Sequence, residues 1–220
     1  EQQVVTASSD RTLRVWEADS GQLIKTLTGH PEPLVSILYS QSGRLLASVS
    51  RPSMTKRPIT GTLIIWDTDS WQPMATISTP PKAFASMSFS PCESYLAATF
   101  TDGISRIWQT NDGHQICTLG GHRRWGSAVV FDPHGELVAT SSSDNGHALI
   151  WDAATDNLLY TLDSNMGGVY DLAFSPSGHH ILLSGTDNAV QIWDVHAREH
   201  VASLEGHSDA VRQAIYSQDG

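Results

Sequence analysis

The sequence predicts an all-β fold made of five consecutive repeat units, each with four short antiparallel strands. Two independent aromatic series support this prediction. Five tryptophans recur at intervals of 50, 42, 43 and 42 residues, namely Trp16, Trp66, Trp108, Trp151 and Trp193. A second series has the same intervals, namely Tyr39, Phe89, Phe131, Phe174 and Tyr216. Because both series keep one period, the chain is a tandem repeat.

Each unit shows the signals of a β-meander. The first strand ends at a turn such as Ser175-Pro176-Ser177-Gly178, where Pro and Gly supply turn geometry. Further turn signals recur every eight to twelve residues or so, between segments rich in Val, Ile, Leu and Thr. We expect strands over most of residues 4–16, 34–50, 84–100, 127–140 and 169–184, with helix almost absent. The one long interval contains an insertion of about eight residues within 51–59.

Two dipeptides at fixed places in the repeat point to a known family. Gly-His opens three units, at Gly29-His30, Gly121-His122 and Gly206-His207. Trp-Asp closes three, at Trp66-Asp67, Trp151-Asp152 and Trp193-Asp194. With the period, these dipeptides resemble the WD-repeat family over the whole chain. The resemblance implies a β-propeller, a single region over 1–220 with units near 1–27 (partial), 28–77, 78–119, 120–162, 163–204 and 205–220 (partial).

The sequence leaves two arrangements of these units open. The last and first partial units together make one ordinary repeat, so residues 210–217 could pair with residues 4–9 and close a five-bladed ring. Alternatively, the chain is an excerpt of a longer propeller, commonly seven-bladed in this family, with open strand edges at both ends. The absence of an initial Met favours the excerpt.

Composition and motifs narrow the function. The net charge of −10 argues against general binding to nucleic acid or anionic membrane surfaces. There is no phosphate-binding loop, nucleophile elbow or Cys-x-x-Cys pair. We therefore expect no catalytic, cofactor-binding or metal-binding residues and no membrane span. With two isolated cysteines, Cys92 and Cys117, the cytoplasm is the expected location, with the nucleus as an alternative.

The recurring Ser/Thr, His and Asp residues have a structural meaning in this family. The resemblance implies a hydrogen-bonded chain in which Trp donates to a hydroxyl, the hydroxyl meets His, and Asp orients the His. One set is complete, namely His122, Thr140, Asp144 and Trp151. A second, namely His207, Thr6, Asp10 and Trp16, is complete only in a closed ring. A third, His30, Ser48 and Trp66, lacks the Asp because the insertion occupies that turn.

A partner is predicted to bind the end of the sheets that carries the Gly-His loops. This end has the basic and aromatic residues Arg51, Lys56, Arg57, Arg123, Arg124 and Trp125. Arg and Trp are enriched at interface hot spots. We expect a non-enzymatic scaffold within a larger signalling or other assembly that binds a protein or peptide there. The alternative is recognition of an anionic ligand, such as a phosphorylated motif or lipid headgroup, by the basic cluster. A propeller enzyme is a remote third alternative.

Overall fold

The computed structural model describes residues 2–53, 59–123 and 125–219, and in these residues it contains strands and turns but no helix. Five sheets, numbered here in chain order, each follow one unit of the sequence repeat. Within every sheet, neighbouring strands are antiparallel and consecutive in the chain, as in a meander. The predicted all-β repeat fold is confirmed.

The strands have the following bounds. Sheet 1 contains β1 Gln3–Ala7, β2 Leu13–Glu17 and β3 Leu23–Leu27. Sheet 2 contains β4 Leu34–Tyr39, β5 Leu45–Ser50, β6 Gly61–Asp67 and β7 Gln72–Thr79. Sheet 3 contains β8 Phe84–Phe89, β9 Tyr95–Phe100, β10 Ser105–Gln109 and β11 Gln115–Leu119. Sheet 4 contains β12 Gly126–Phe131, β13 Leu137–Ser142, β14 His147–Asp152 and β15 Leu158–Asp163. Sheet 5 contains β16 Val169–Phe174, β17 His180–Gly185, β18 Val190–Asp194 and β19 Glu199–Leu204.

Sheet 1 differs from the others because it has three strands. A closed ring requires residues 210–217 as its fourth strand. In the described part of the chain, however, the segment after Leu204 forms no strand, and the Val211 N–H donates to the carbonyl of Gly185 at 2.9 Å. Among the described residues, sheet 1 thus has no fourth strand.

The chain divides into two compact units, each with its own apolar core. The first comprises Glu1–Phe84 and Thr110–His114, and the second comprises Ala85–Gln109 and Gln115–Gly220. In both, the second strand of a sheet is the most buried. All six residues of β5 are buried, and so are the last five of β9, β13 and β17. Strands buried on both faces are continuously apolar or small, which explains sequences such as LLASVS.

A register irregularity marks the same point in all five sheets. The pairing of each tryptophan strand with the strand after it shifts immediately before Trp16, Trp66, Trp108, Trp151 and Trp193. Such a bulge bends the strand and increases its twist. The repeated register makes residues in different sheets strictly comparable.

Candidate interaction surface on the Gly-His face

The first hydrogen-bond chain of the repeat lies in sheet 2. The Trp66 Nε1–H donates to the hydroxyl of Ser48 at 2.8 Å, and His30 Nε2 lies 2.7 Å from the same oxygen. All three residues are buried. Burial lowers the pKa of His30 to about 4, so the imidazole is neutral at pH 7. This set forms without the aspartate that the family pattern would add.

The second hydrogen-bonded set, in sheet 4, again joins a tryptophan, a hydroxyl and a histidine, and an aspartate lies near it in the sequence. The Trp151 Nε1–H donates to Thr140 Oγ1 at 2.9 Å, and His122 Nε2 lies 3.1 Å from that oxygen. No hydrogen bond joins Asp144 to His122 in the described part of the chain. The Asp144 carboxylate instead accepts the hydroxyl hydrogen of Ser142, two residues earlier, and His122 Nδ1 is buried without a hydrogen-bond partner in the described residues.

The set that depended on ring closure is only partly assembled. The Trp16 Nε1–H donates to Thr6 Oγ1 at 2.9 Å. Asp10, however, accepts hydrogen bonds from Thr12 and forms an ion pair with Arg14 at 3.1 Å, and His207 is exposed. Within sheet 1, the Trp16–Thr6 contact is thus the part of the predicted set that the described residues form.

These Trp–hydroxyl–His hydrogen bonds position the loops that form what we call the Gly-His face. This face is the end of the sheets that carries the loops before each first strand and the turns between second and third strands. Each buried His fastens its loop to the middle strands of the following sheet. Satisfied buried polar groups rigidify their surroundings. The chains thus supply fixed loops on which exposed side chains can be presented.

Trp125 is such an exposed side chain, in the loop that follows His122. Its side chain is large and apolar, yet 54% of the residue is exposed. Its backbone is held on both sides, since its N–H donates to the Thr101 carbonyl at 3.1 Å and its carbonyl accepts the Ser143 N–H at 3.0 Å. The next residue is held as closely, because a Cβ on Gly126 would lie 2.7 Å from the Phe100 carbonyl oxygen. The ring therefore projects from a fixed backbone.

The backbone of Trp125 is also unusual. Its φ angle is +52°, in the left-handed region that bulky residues rarely adopt. The equivalent carbonyls of Pro33 and Gly168 accept the same kind of hydrogen bond, from Arg51 at 3.0 Å and Thr186 at 3.1 Å. Pro33 and Gly168 are not among the residues with positive φ. Strained backbone conformations cluster at functional sites, so the positive φ of Trp125 makes this residue a candidate for binding a partner.

The predicted basic residues are only partly described. Arg51 is exposed in the first compact unit, and Arg123 is exposed in the second, two residues before Trp125. Lys56, Arg57 and Arg124 lie outside the described residues. Near Trp125, Asp102 is neutralised by an ion pair with Arg106 at 2.9 Å. Arg123 and Trp125 are therefore the described members of the predicted cluster that share one loop.

One structural contact was not predicted from the sequence. Trp193, in sheet 5, donates its Nε1–H to Gln191 Oε1 at 3.0 Å, and Gln191 Nε2 donates to the Ser164 carbonyl at 3.0 Å. Residues i and i+2 of a strand share a face, so this pairing could have been found from the sequence. It keeps a tryptophan in place where the His and the hydroxyl are both missing.

Two further observations on the described residues concern metal ions and membranes. No group of three or more His, Cys, Asp or Glu side chains is arranged to hold a metal ion among them. In that same part of the chain, no helix has the length and apolar character needed to span a membrane.

Sheets of four antiparallel strands at this period, with buried Trp–hydroxyl–His chains, define a β-propeller built from WD repeats. The family model described as "WD domain, G-beta repeat" matches residues 21–67, 113–152 and 156–194. The chain belongs to the WD-repeat family.

The chain is similar to several curated proteins. It is 24% identical over 216 residues to nuclear distribution protein nudF of Aspergillus niger, covering 97% of this chain and 38% of that protein. It is 27% identical over 203 residues to nuclear distribution protein PAC1 of Arthroderma benhamiae, covering 87% and 33%. It is 25% identical over 195 residues to transcriptional corepressor LEUNIG_HOMOLOG of Arabidopsis thaliana, covering 87% and 23%. The chain thus spans well under half the length of these relatives. The similarities support a protein-interaction role in general.

Proposed function

We propose that this chain is a non-enzymatic scaffold that binds a protein or peptide on the Gly-His face, with Trp125 as the central contact. The observation that carries the proposal is an exposed tryptophan on a backbone held by hydrogen bonds at both its N–H and its carbonyl. A ring presented in this way loses little conformational freedom on binding. Low ordering cost and large contact area are what make tryptophan a frequent hot spot.

The chemistry beside Trp125 favours an acidic or phosphorylated segment as the partner. Arg123 is exposed in the same loop, while the nearby Asp102 is already paired with Arg106. The chain as a whole has a net charge of −10, so a local cation would stand out against a negative background. Charge complementarity of this kind acts mainly on association rate and on partner choice.

Peptides selected against the chain from a random displayed library provide the test. Trp125→Ala should weaken the selected peptides by about 2 kcal/mol, roughly 30-fold, as expected for a hot-spot residue. Val201→Ala is the matched control, since Val201 is equally exposed at 54% but lies on the last strand of sheet 5. We expect the selected peptides to be rich in Asp and Glu, and their affinity to fall with added salt. Peptides that bind Trp125→Ala as well as the original chain would contradict the proposal.

A further inference from the structure

A cavity of about 280 Å³ lies in the groove between sheets 3 and 4, within the second compact unit. It opens at the end of the sheets opposite the Gly-His face, beside the turns that follow β8 and β14. Its wall is largely apolar and aromatic, and its polar groups include one carboxylate and two thiols. Among the residues that line it are Tyr95, Ile107, Ile116, Cys117, Phe131 and Asp156.

One wall of the groove is a repeated strand position. Cys117 pairs with Ile107 immediately before the bulge at Trp108. In sheet 4 the same place is held by Tyr160, which pairs with Ile150 before Trp151. In sheet 1 it is held by Lys25, which pairs with Val15 before Trp16. Cys117, Tyr160 and Lys25 are therefore equivalent residues of the repeat.

The opposite side of the groove is a repeated turn position. Asp156 donates its N–H to the carbonyl of the residue four before it at 3.0 Å, and Arg198 and Trp71 do so at 2.9 and 2.8 Å. All three have positive φ, at +60°, +61° and +53°. Asp156, Arg198 and Trp71 are therefore also equivalent.

The groove between sheets 4 and 5 is filled by its own side chains. The hydroxyl of Tyr160 donates to the carbonyl of Val195 across the groove. The guanidinium of Arg198 stands 4.5 Å from the centroid of the Tyr160 ring, in cation–π geometry. An aromatic ring and a cation thus occupy the volume that is empty between sheets 3 and 4.

The corresponding groove in the first compact unit is filled by similar chemistry. The ammonium group of Lys25 donates to the carbonyl of Ser70 at 3.2 Å, and the adjacent Trp71 is only 7% exposed. Small residues at these positions need not leave a cavity. At the further pair Ala75 and Gly113 the backbones approach closely, since a Cβ on Gly113 would lie 3.1 Å from that of Ala75.

We propose that the groove between sheets 3 and 4 is a docking site for a partner protein segment that inserts an aromatic side chain beside a lysine or arginine. The incoming ring would take the place that Tyr160 holds in the next groove, against Tyr95 and Phe131. The neighbouring cation would pair with Asp156, which stands where the next groove has Arg198. The groove therefore lacks both the ring and the cation, and it holds an anion in their place.

The electrostatics of the groove agree with this occupant. Burial, with a hydrogen bond to Asp156, raises the pKa of the Cys117 thiol to about 12, so this thiol adds no negative charge at neutral pH. Asp156 supplies the carboxylate among the residues that line the cavity. A carboxylate at the edge of an apolar cavity favours a cation next to the buried ring over an anion.

Two short probe peptides test the proposal on the whole chain, N-acetyl-Tyr-Arg-amide and N-acetyl-Tyr-Glu-amide. Binding is followed by NMR titration of the backbone amides, with those of Ile116, Ala153 and Ala154 reporting on the groove. We expect saturable shifts at these amides, and binding of the Arg peptide at least about 10-fold tighter than that of the Glu peptide.

Substitutions then test separately the space for the aromatic ring and the charge of Asp156. Cys117→Tyr with Asp156→Arg copies the Tyr160 and Arg198 pair, and should abolish binding with an unchanged or higher Tm. Thr118→Tyr is the matched control, because its side chain leaves the opposite face of β11 and should leave binding intact. Asp156→Asn keeps a residue that tolerates positive φ, and should remove most of the preference for the Arg peptide.

Trp125→Ala should leave probe binding unchanged, so the proposal for this groove and the proposal for the Gly-His face are tested independently. The proposal is overturned if no saturable shift occurs at the groove amides, or if the two peptides bind equally. It is also overturned if a folded Cys117→Tyr, Asp156→Arg chain still binds. Should that double variant fail to fold, the comparison of the two peptides on the Asp156→Asn chain decides the question.

Discussion

The tryptophans of sheets 2 and 5 are equivalent in the repeat but are held in different ways. Trp66 is buried, and its N–H reaches a hydroxyl that also contacts His30. Trp193 is half-buried, and its N–H reaches the amide oxygen of Gln191 on its own strand. Its ring also packs edge-on against His200, with centroids 5.6 Å apart. One repeat position thus supports two different hydrogen-bond arrangements.

The strand register explains the difference. Leu46 pairs with Trp66 and Ile181 pairs with Trp193, so Leu183 occupies the position of Ser48. Leu27 and Leu162 are equivalent in the register, since each pairs with the residue three before the tryptophan, so Asn165 occupies the position of His30. Sheet 5 has therefore lost the hydroxyl and the imidazole together. The invariant feature of the repeat is an acceptor for the indole N–H, and which residue supplies it varies.

The largest effect is expected from Ser48→Ala. This change leaves both the Trp66 N–H and His30 Nε2 without their partner in a buried site. We expect a loss of about 3 kcal/mol in the free energy of unfolding, measured by urea denaturation. Ser184→Ala is the matched control, since Ser184 is equally buried but its hydroxyl has no hydrogen-bond partner among the residues that the structure describes. Removing that hydroxyl should be neutral or stabilising. Equal losses for the two variants would show that the hydrogen bonds are unimportant.

A similar loss is expected from His122→Ala in sheet 4. His122 is 8% exposed, and its removal leaves Thr140 with one partner fewer. We expect a destabilisation of roughly 1–3 kcal/mol, again from urea denaturation. His207 occupies the same place in the repeat but is exposed, so His207→Ala should change stability by less than about 0.5 kcal/mol. A small effect at His122 would remove the structural role assigned to it.

The stability of the buried arrangement should also depend on pH. Burial lowers the pKa of His30 from 6.5 to about 4. Since the unfolded chain binds this proton at higher pH than the folded chain, His30 makes the protein lose stability as the pH falls through 6.5 toward 4. We expect this contribution to be present in full above pH 7 and to fall by about 2 kcal/mol by pH 5.

The pH effect is read from two variants. His30→Gln should flatten the dependence of the unfolding free energy between pH 7 and pH 5, whatever its effect on absolute stability. His207→Gln, at the exposed equivalent position, should leave that dependence as it is. If both variants keep the original slope, the imidazole of His30 does not carry the proton linkage.

The comparison also shows what the sequence could predict. The two aromatic series predicted the repeat and its strands, and the resemblance to the WD-repeat family implied the Trp–hydroxyl–His sets of sheets 2 and 4. The hydrogen bond between Asp144 and Ser142 was not predicted, because a short carboxylate in a turn can bond any hydroxyl nearby. The exposure and positive φ of Trp125, beside the close approach of Gly126 to the end of β9, are not encoded in any residue pattern.

The cavity beside Cys117 was not predictable for a related reason. A cavity is a volume that no side chain fills, and it becomes visible only when equivalent residues are compared in register. In the groove between sheets 4 and 5, the two positions hold the aromatic ring of Tyr160 and the cation of Arg198. In another pair they hold Ala75 and Gly113, whose backbones lie close together. Packing between sheets, rather than propensity within a strand, decides which of these arises.

The smallest effect is expected from Gln191→Ala in sheet 5. Like Ser48→Ala, this change removes the acceptor of a tryptophan N–H. Trp193, however, is half-buried, so water can take the place of Gln191 Oε1. Only the net value of one hydrogen bond should then be lost, about 0.5–1 kcal/mol by urea denaturation. Gln72→Ala, at an exposed position in β7, gives the background cost of such a truncation. If Gln191→Ala were as costly as Ser48→Ala, the cost would not depend on burial of the indole, and the contrast between the two sheets would have to be explained by packing instead.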